Sequence, residues 1–311
     1  MATNYRWTCV QDNAAFAPRD GAGALVFKDQ MWFLGGWNPE DRVNFPHDCN
    51  SEIWSSRDGQ DWTFHGHAPW EGRHTAGYAV HDDAMWIVGG DCNQGHYQSD
   101  VWRTVDGTTW KLVADNVPWS PRALHQTIVF DGYIWVIGGQ TMPEFAPGAD
   151  ECFHADVWRT KDGVSWECVE AKAPWAPRGM VGASAVKDGR LWLLGGGTYD
   201  TPTTPRRLFY GDAWSTVDGV DWTCHTPEGF PPRQYHEIAA WDGRLWAMEG
   251  YHVDTGNRND VWSSADGTTW TQLPDTPWAP RHAASVYVFD DAVWMVAGNN
   301  MTSDVWRLDR T

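Results

Sequence analysis

The chain has 311 residues and sets 23 Lys and Arg against 41 Asp and Glu, a formal charge of −18. That balance excludes the basic footprint of a nucleic-acid-binding protein. No run of about 18 apolar residues forecasts a membrane helix, and the start MATNYRWTCV lacks the basic-then-apolar order of a secretory leader, so a cytoplasmic chain is expected.

The first predicted element is a strand around Trp7, over residues 4–10, with no partner near it in sequence. Arg19 then opens a unit that recurs five more times, at Arg73, Arg122, Arg178, Arg233 and Arg281, with spacings of 54, 49, 56, 55 and 48 residues. Thirteen residues after each arginine, fourteen in one copy, a five-letter word begins: WFLGG, WIVGG, WVIGG, WLLGG, WAMEG and WMVAG. A variable loop leads to an acid two residues before a second Trp, as in DVW, and an Asp-Gly turn leads to a third.

Each unit therefore holds four short strands, a to d, separated by turn signals, with no sustained helical period. Units of about 50 residues with four strands are propeller blades. The sixth unit stops after strand c, so the strand at 4–10 is expected to supply its missing strand d and close the ring. The prediction is one all-β domain over 1–311, a six-bladed β-propeller of four-stranded antiparallel blades.

The double glycine, the downstream aromatic pair and the arginine opening each unit resemble the kelch family of β-propellers, over the whole chain. Kelch folds host enzymes, sugar-acid isomerases and protein-binding adaptors, so the resemblance implies a fold more than a function. The repeat assigns most Trp residues to packing, and only Trp37 stands outside the pattern. It also places turn chemistry behind much of the acidity.

Loops between strands b and c run 16, 10, 17, 16, 10 and 6 residues from the second glycine position to the acid before Trp. Such variation points to their face as the functional one, together with the arginine end of strand a. Blade 5 departs most from the repeat there, with His236, Glu237, Glu249, Tyr251 and His252; blade 3 adds His125 and Gln126. Glu249 replaces the small fourth letter of the repeated word. Two readings stand for it: acid/base or hydrogen-bonding work at the channel mouth, or a salt bridge to Arg233 or Arg281. Which of His236 and Glu237 faces inward stays open, because neighbours on a strand point to opposite sides.

Bacterial kelch propellers that interconvert anomers of sialic acid are the nearest analogy. The resemblance implies a small polar, anionic, sugar-acid-like ligand and mutarotase- or epimerase-like chemistry. Glu249 or Glu237 would then act as base and His236 or His125 as acid. Related propellers hold carboxylates with arginines of this kind. Arg73, Arg122, Arg178, Arg233 and Arg281 are accordingly candidate ligand residues, with Trp37, Tyr251, His252 and Gln126.

Three cysteines sit in b-to-c loops beside a histidine: His47 with Cys49, Cys92 with His96, Cys152 with His154. These types suit one Cu, Fe or Zn ion shared by three loops, the basis of a second reading as a metal-dependent enzyme. A disulfide between loops and unrelated thiols are the competing accounts. A protein-binding module that docks a partner on the long loops is the third functional reading. Cys9, Cys168 and Cys224 follow strand-d Trp residues and read as apolar fillers.

Overall fold

A computed structural model of the chain describes residues 4–179, 184–201 and 206–311. Among these the regular elements are all strands, and no helix is long and apolar enough to cross a membrane. Six four-stranded antiparallel sheets follow one another in chain order, each pairing strands a, b, c and d from the axis outward. The inner strands are Gly23–Val26, Gly77–His81, Gln126–Phe130, Ser184–Lys187, Glu237–Trp241 and Ser285–Phe289. The protein is a six-bladed β-propeller, as the repeat predicts.

The ring closes as expected. Tyr5–Gln11 lies antiparallel to Val305–Arg310, with Tyr5 opposite Arg310 and Trp7 opposite Leu308. The N-terminal strand is thus the outer strand of blade 6, and the polar edge that its absence would bare is paired.

The repeated residues explain one another. Arg281 donates from Nε to the Ala279 carbonyl, from Nη1 to the Ala297 carbonyl, and from both Nη atoms to Asp304 at 2.7 Å each. The indole of Trp306 donates to the same carboxylate at 2.6 Å. This set recurs in Arg73–Asp100–Trp102, Arg122–Asp156–Trp158, Arg178–Asp212–Trp214 and Arg233–Asp260–Trp262. Blade 1 builds it with Arg19, Glu52 and Trp54. Each unit carries one arginine and one acid because each blade buries that pair, at excellent geometry and with the remaining donors satisfied.

The third letter class, the Trp opening each b strand, fastens blade to blade. Trp32 lies against Gly107 in the Asp-Gly turn of the next blade, so closely that a Cβ there would come within 2.1 Å of the indole. Trp86, Trp135, Trp192 and Trp294 meet Gly163, Gly219, Gly267 and Gly59 in the same way. Blade 6 has no such turn. Tyr5 of its N-terminal strand covers Trp246 instead, with ring centroids 4.6 Å apart.

Candidate functional site

The fourth letter of the repeated word is a left-handed backbone position. Gly35, Gly89, Gly138 and Gly195 have φ between 58° and 62°, Ala297 has 56° and Glu249 has 54°. Glycine is favoured there because a side chain in this conformation is strained. Space also matters, since a Cβ on Gly195 would lie 2.9 Å from the ring of His236 in the next blade.

That contact explains both glutamate and histidines. His236 donates through Nε2 to the Leu194 carbonyl (3.0 Å), and His125 to the Val88 carbonyl (3.2 Å), each bridging to the preceding blade beside a glycine. Between blades 5 and 6 the sizes are exchanged. Blade 6 has Ala284 where the histidine would be, and Glu249 fills the space from the other side. Both its carboxylate oxygens accept the Ala284 N–H, at 3.2 and 3.3 Å.

Glu249 is fully buried and lines neither opening on the axis. Burial pushes its pKa up to about 8, against the pull of the Arg281 charge. Neither reading of its carboxylate describes this contact: the forks of Arg233 and Arg281 are taken by Asp260 and Asp304, and only the Glu249 backbone carbonyl meets Arg233. Glu249→Gly alone is expected to lower stability by about 1–2 kcal/mol, because relief of the strained backbone does not offset the emptied space and the unpaired Ala284 N–H. Adding Ala284→His should recover that loss by recreating the junction of blades 4 and 5. Urea unfolding of the two variants checks this, and a double variant no more stable than the single one refutes it.

The five arginines expected to grip a ligand are at most 1 % exposed, and their donors are used within the blade. No fork is left for a ligand. His236 is sealed between blades, and burial, with the Arg233 charge, lowers its pKa to about 3. His125 is held low in the same way, also to about 3, although it borders the inner bore. Both are neutral at ordinary pH, so neither offers an imidazolium to a ligand.

The bore is a space of about 130 Å³ bordered by Glu237, Gln126 and His125. Glu237, not His236, faces it; burial and then the nearby Glu249 hold the Glu237 pKa well above its usual range. Gln126 accepts a hydrogen bond from Ser184 at 3.0 Å. His252 lies outside both spaces, packed on Phe209 at 4.2 Å.

Above the bore, on the face of the b-to-c loops, a cavity of about 340 Å³ opens. Thr75 borders both spaces. Of the expected ligand residues, Trp37 and Tyr251 line this cavity. The others that define it come from the two positions after each arginine and from the loops: Asp20, His74, Tyr235, His282 and Arg207. The second residue after the arginine is left-handed, with φ of 50° at Thr75 and 54° at Tyr235. The chain turns there, so the first residue borders the mouth and the third is carried inside.

Asp20 is the unusual group. Its Oδ1 is buried without a hydrogen-bond partner, as are Trp37 Nε1 and Thr75 Oγ1 on the same wall. Burial raises the Asp20 pKa to about 7, moderated by His74. On the adjoining blade, where Gly21 N–H donates to the Ala283 carbonyl at 2.9 Å, His282 donates through Nδ1 to Asn257 Oδ1 at 2.7 Å, and burial lowers its pKa to about 4. Tyr235 packs on His282 at 5.1 Å and Trp37 stacks on His74 at 6.0 Å, so the walls are flat and aromatic. Arg207 stands over Tyr199 at 4.5 Å and also pairs with the exposed Asp200.

The loop cysteines are all free, and among the described residues the six expected to share one ion do not meet as one donor set. Cys49 Sγ approaches His74 Nδ1 (3.5 Å) rather than His47, while Cys152 Sγ approaches His154 Nδ1 (3.5 Å) and Cys92 Sγ approaches His96 Nε2 (3.4 Å). Among the described residues the one group of three donor side chains within 4.8 Å is Glu71, Cys92 and His96. No protein-family model matches the chain.

Proposed function

We propose that the protein binds a small sugar-acid-like molecule in the mouth cavity and catalyses proton transfer at its anomeric centre, as a mutarotase or related isomerase does. The observation carrying this reading is Asp20: a buried carboxyl with an unpartnered oxygen, poised near neutrality on the wall of an aromatic cavity. Unpaired buried polar atoms cost stability unless a ligand or water meets them, and perturbed carboxyls gather at functional sites. A volume of about 340 Å³ suits a single sugar ring.

The chemistry follows from the carboxyl itself. Opening a cyclic hemiacetal requires removal of the anomeric hydroxyl proton and delivery of a proton to the ring oxygen. A protonated carboxyl has a donor and an acceptor on adjacent oxygens, so Asp20 supplies both in one encounter and is restored when the ring closes on the other face. With a pKa of about 7 it holds that proton in half the molecules at neutral pH. The rings of Trp37 and Tyr251 offer apolar faces for the sugar, and Arg207 offers a cation for its carboxylate. The resemblance of the repeat to kelch propellers agrees with this reading.

Thermal unfolding with neutral hexoses, sugar acids and non-sugar dicarboxylates tests the ligand class. A rise in Tm with a sugar acid, reduced at least tenfold in apparent affinity by Arg207→Gln, is expected. Equal responses to all three classes, or none to any, would remove the proposal.

A further inference from the structure

A second group of donor side chains lies next to the mouth cavity, which Asp91, Asn93 and Tyr97 of the same segment border. Glu71 sits in the linker that enters blade 2, two residues before Arg73. Cys92 directly follows the b strand of the same blade, Ala84–Asp91, and His96 precedes its c strand, Tyr97–Thr104. The loop between them turns through left-handed Asn93 and Gly95, with φ of 57° and 86°. That turn brings Cys92 Sγ to 3.4 Å from His96 Nε2, and the same nitrogen lies 2.9 Å from Glu71 Oε2. Gln98, itself buried, donates to Glu71 Oε2 at 3.2 Å and fixes the carboxylate from behind.

We propose that Glu71, Cys92 and His96 bind one divalent cation of the zinc class, with a fourth coordination position open to solvent or a small ligand. A thiolate, an imidazole and a carboxylate are donors that zinc accepts together, whereas calcium and magnesium avoid sulfur. Tetrahedral zinc with Zn–S near 2.3 Å and Zn–N near 2.1 Å sets its sulfur and nitrogen ligands about 3.5 Å apart. The Cys92–His96 separation of 3.4 Å already matches that edge. The 2.9 Å contact between His96 and Glu71 need open only slightly to admit the ion. Glu71 and Cys92 both border a hollow of about 390 Å³ that also meets His47, Cys49 and His67. With Glu71 and Cys92 facing this hollow and His96 exposed beside it, a water or a small molecule has room on the metal. Gln98 plays the outer part, orienting the carboxylate as partners of metal ligands do.

Metal-stripped full-length protein is titrated with Co(II) and with Zn(II). The expected result is one equivalent of either ion per chain and a thiolate-to-cobalt charge-transfer band in the near ultraviolet. Cys92→Ser should abolish the band, and His96→Ala and Glu71→Gln should each weaken zinc binding by tenfold or more. Cys152→Ser and Cys49→Ser should leave the band in place, which separates this trio from the neighbouring cysteine–histidine pairs. His96 and Glu71 are exposed, so their variants report on binding even if the buried Cys92 variant fails to fold. A band that survives Cys92→Ser, or zinc uptake unchanged in the His96 and Glu71 variants, would reduce the trio to a surface ion pair beside a thiol.

Discussion

The Asp20→Asn variant is expected to unfold at higher urea than the parent at pH 8 and to lose its response to ligand. In the unfolded chain an aspartate titrates near 3.8, and in the fold Asp20 titrates near 7. Between those values the folded state keeps a proton that the unfolded state has released, so stability falls as pH rises through the window. Above pH 7 the fold carries a buried charge. Asparagine has the same shape and no charge. Its advantage should be absent below about pH 4 and complete above about pH 7. Each tenfold difference in proton affinity is worth about 1.4 kcal/mol, which sets a ceiling of roughly 4 kcal/mol; solvent in the cavity reduces it to about 1–3 kcal/mol. Anomer interconversion, followed by NMR line exchange or polarimetry, should drop to the uncatalysed rate. Gained stability with lost activity is the pattern of a group kept for its chemistry. A stability difference independent of pH would contradict the buried-charge account, and unchanged interconversion would take Asp20 out of the reaction.

Removing one ring arginine should have the largest structural effect. In Arg281→Ala, Asp304 keeps the indole of Trp306 and the hydroxyl of Thr302 but loses both guanidinium contacts. The Ala297 carbonyl is also left without its buried donor. Breaking a buried pair from one side costs about 3–5 kcal/mol, a large share of the roughly 5–15 kcal/mol that holds a domain together. Urea unfolding followed by tryptophan emission is the measurement. Removing both partners, in Arg281→Met with Asp304→Leu, should cost less than the single change, since no unpaired charge remains. A loss below about 1 kcal/mol in the single variant would mean that solvent reaches the pair and that its geometry overstates its strength.

The fold was legible because the same physical problem is solved six times. One word repeated with its turns gives blade number, strand count and, through the lone strand at Trp7, the manner of closure. The arginines were harder to interpret: a sequence displays a cation without showing what faces it. A signal was nonetheless present, since every unit carries one acid, from Glu52 to Asp304, at a constant distance before its Trp.

The cavity was half legible. Loop lengths pointed to its face, and Trp37 and Tyr251 line it. Asp20, His74 and His282 were not legible, because simple strand alternation points to the third and fourth residues after each arginine instead. Left-handed residues such as Thr75 and Tyr235 break the alternation that strand reasoning assumes, and aim the first residue at the mouth. The first position varies strongly in charge and size around the ring, Asp20 and His74 against Ala123, and that variation was the available clue. Glu249 was a departure of a different kind. It exchanges places with a neighbour's histidine, a relation visible only when facing blades are compared as pairs.

The clasp between Tyr5–Gln11 and Val305–Arg310 also sets an order of events during synthesis. Five blades assemble from segments made close together in time, but the sixth joins residues separated by nearly the whole chain, and such distant pairings form late. The strand Tyr5–Gln11, made before the blades that follow it, must therefore wait on a growing, partly built ring, with Trp7 and Tyr5 uncovered until Val305–Arg310 has been made. An unfinished chain at that stage exposes the sheet edge and aromatic surface on which chaperones act.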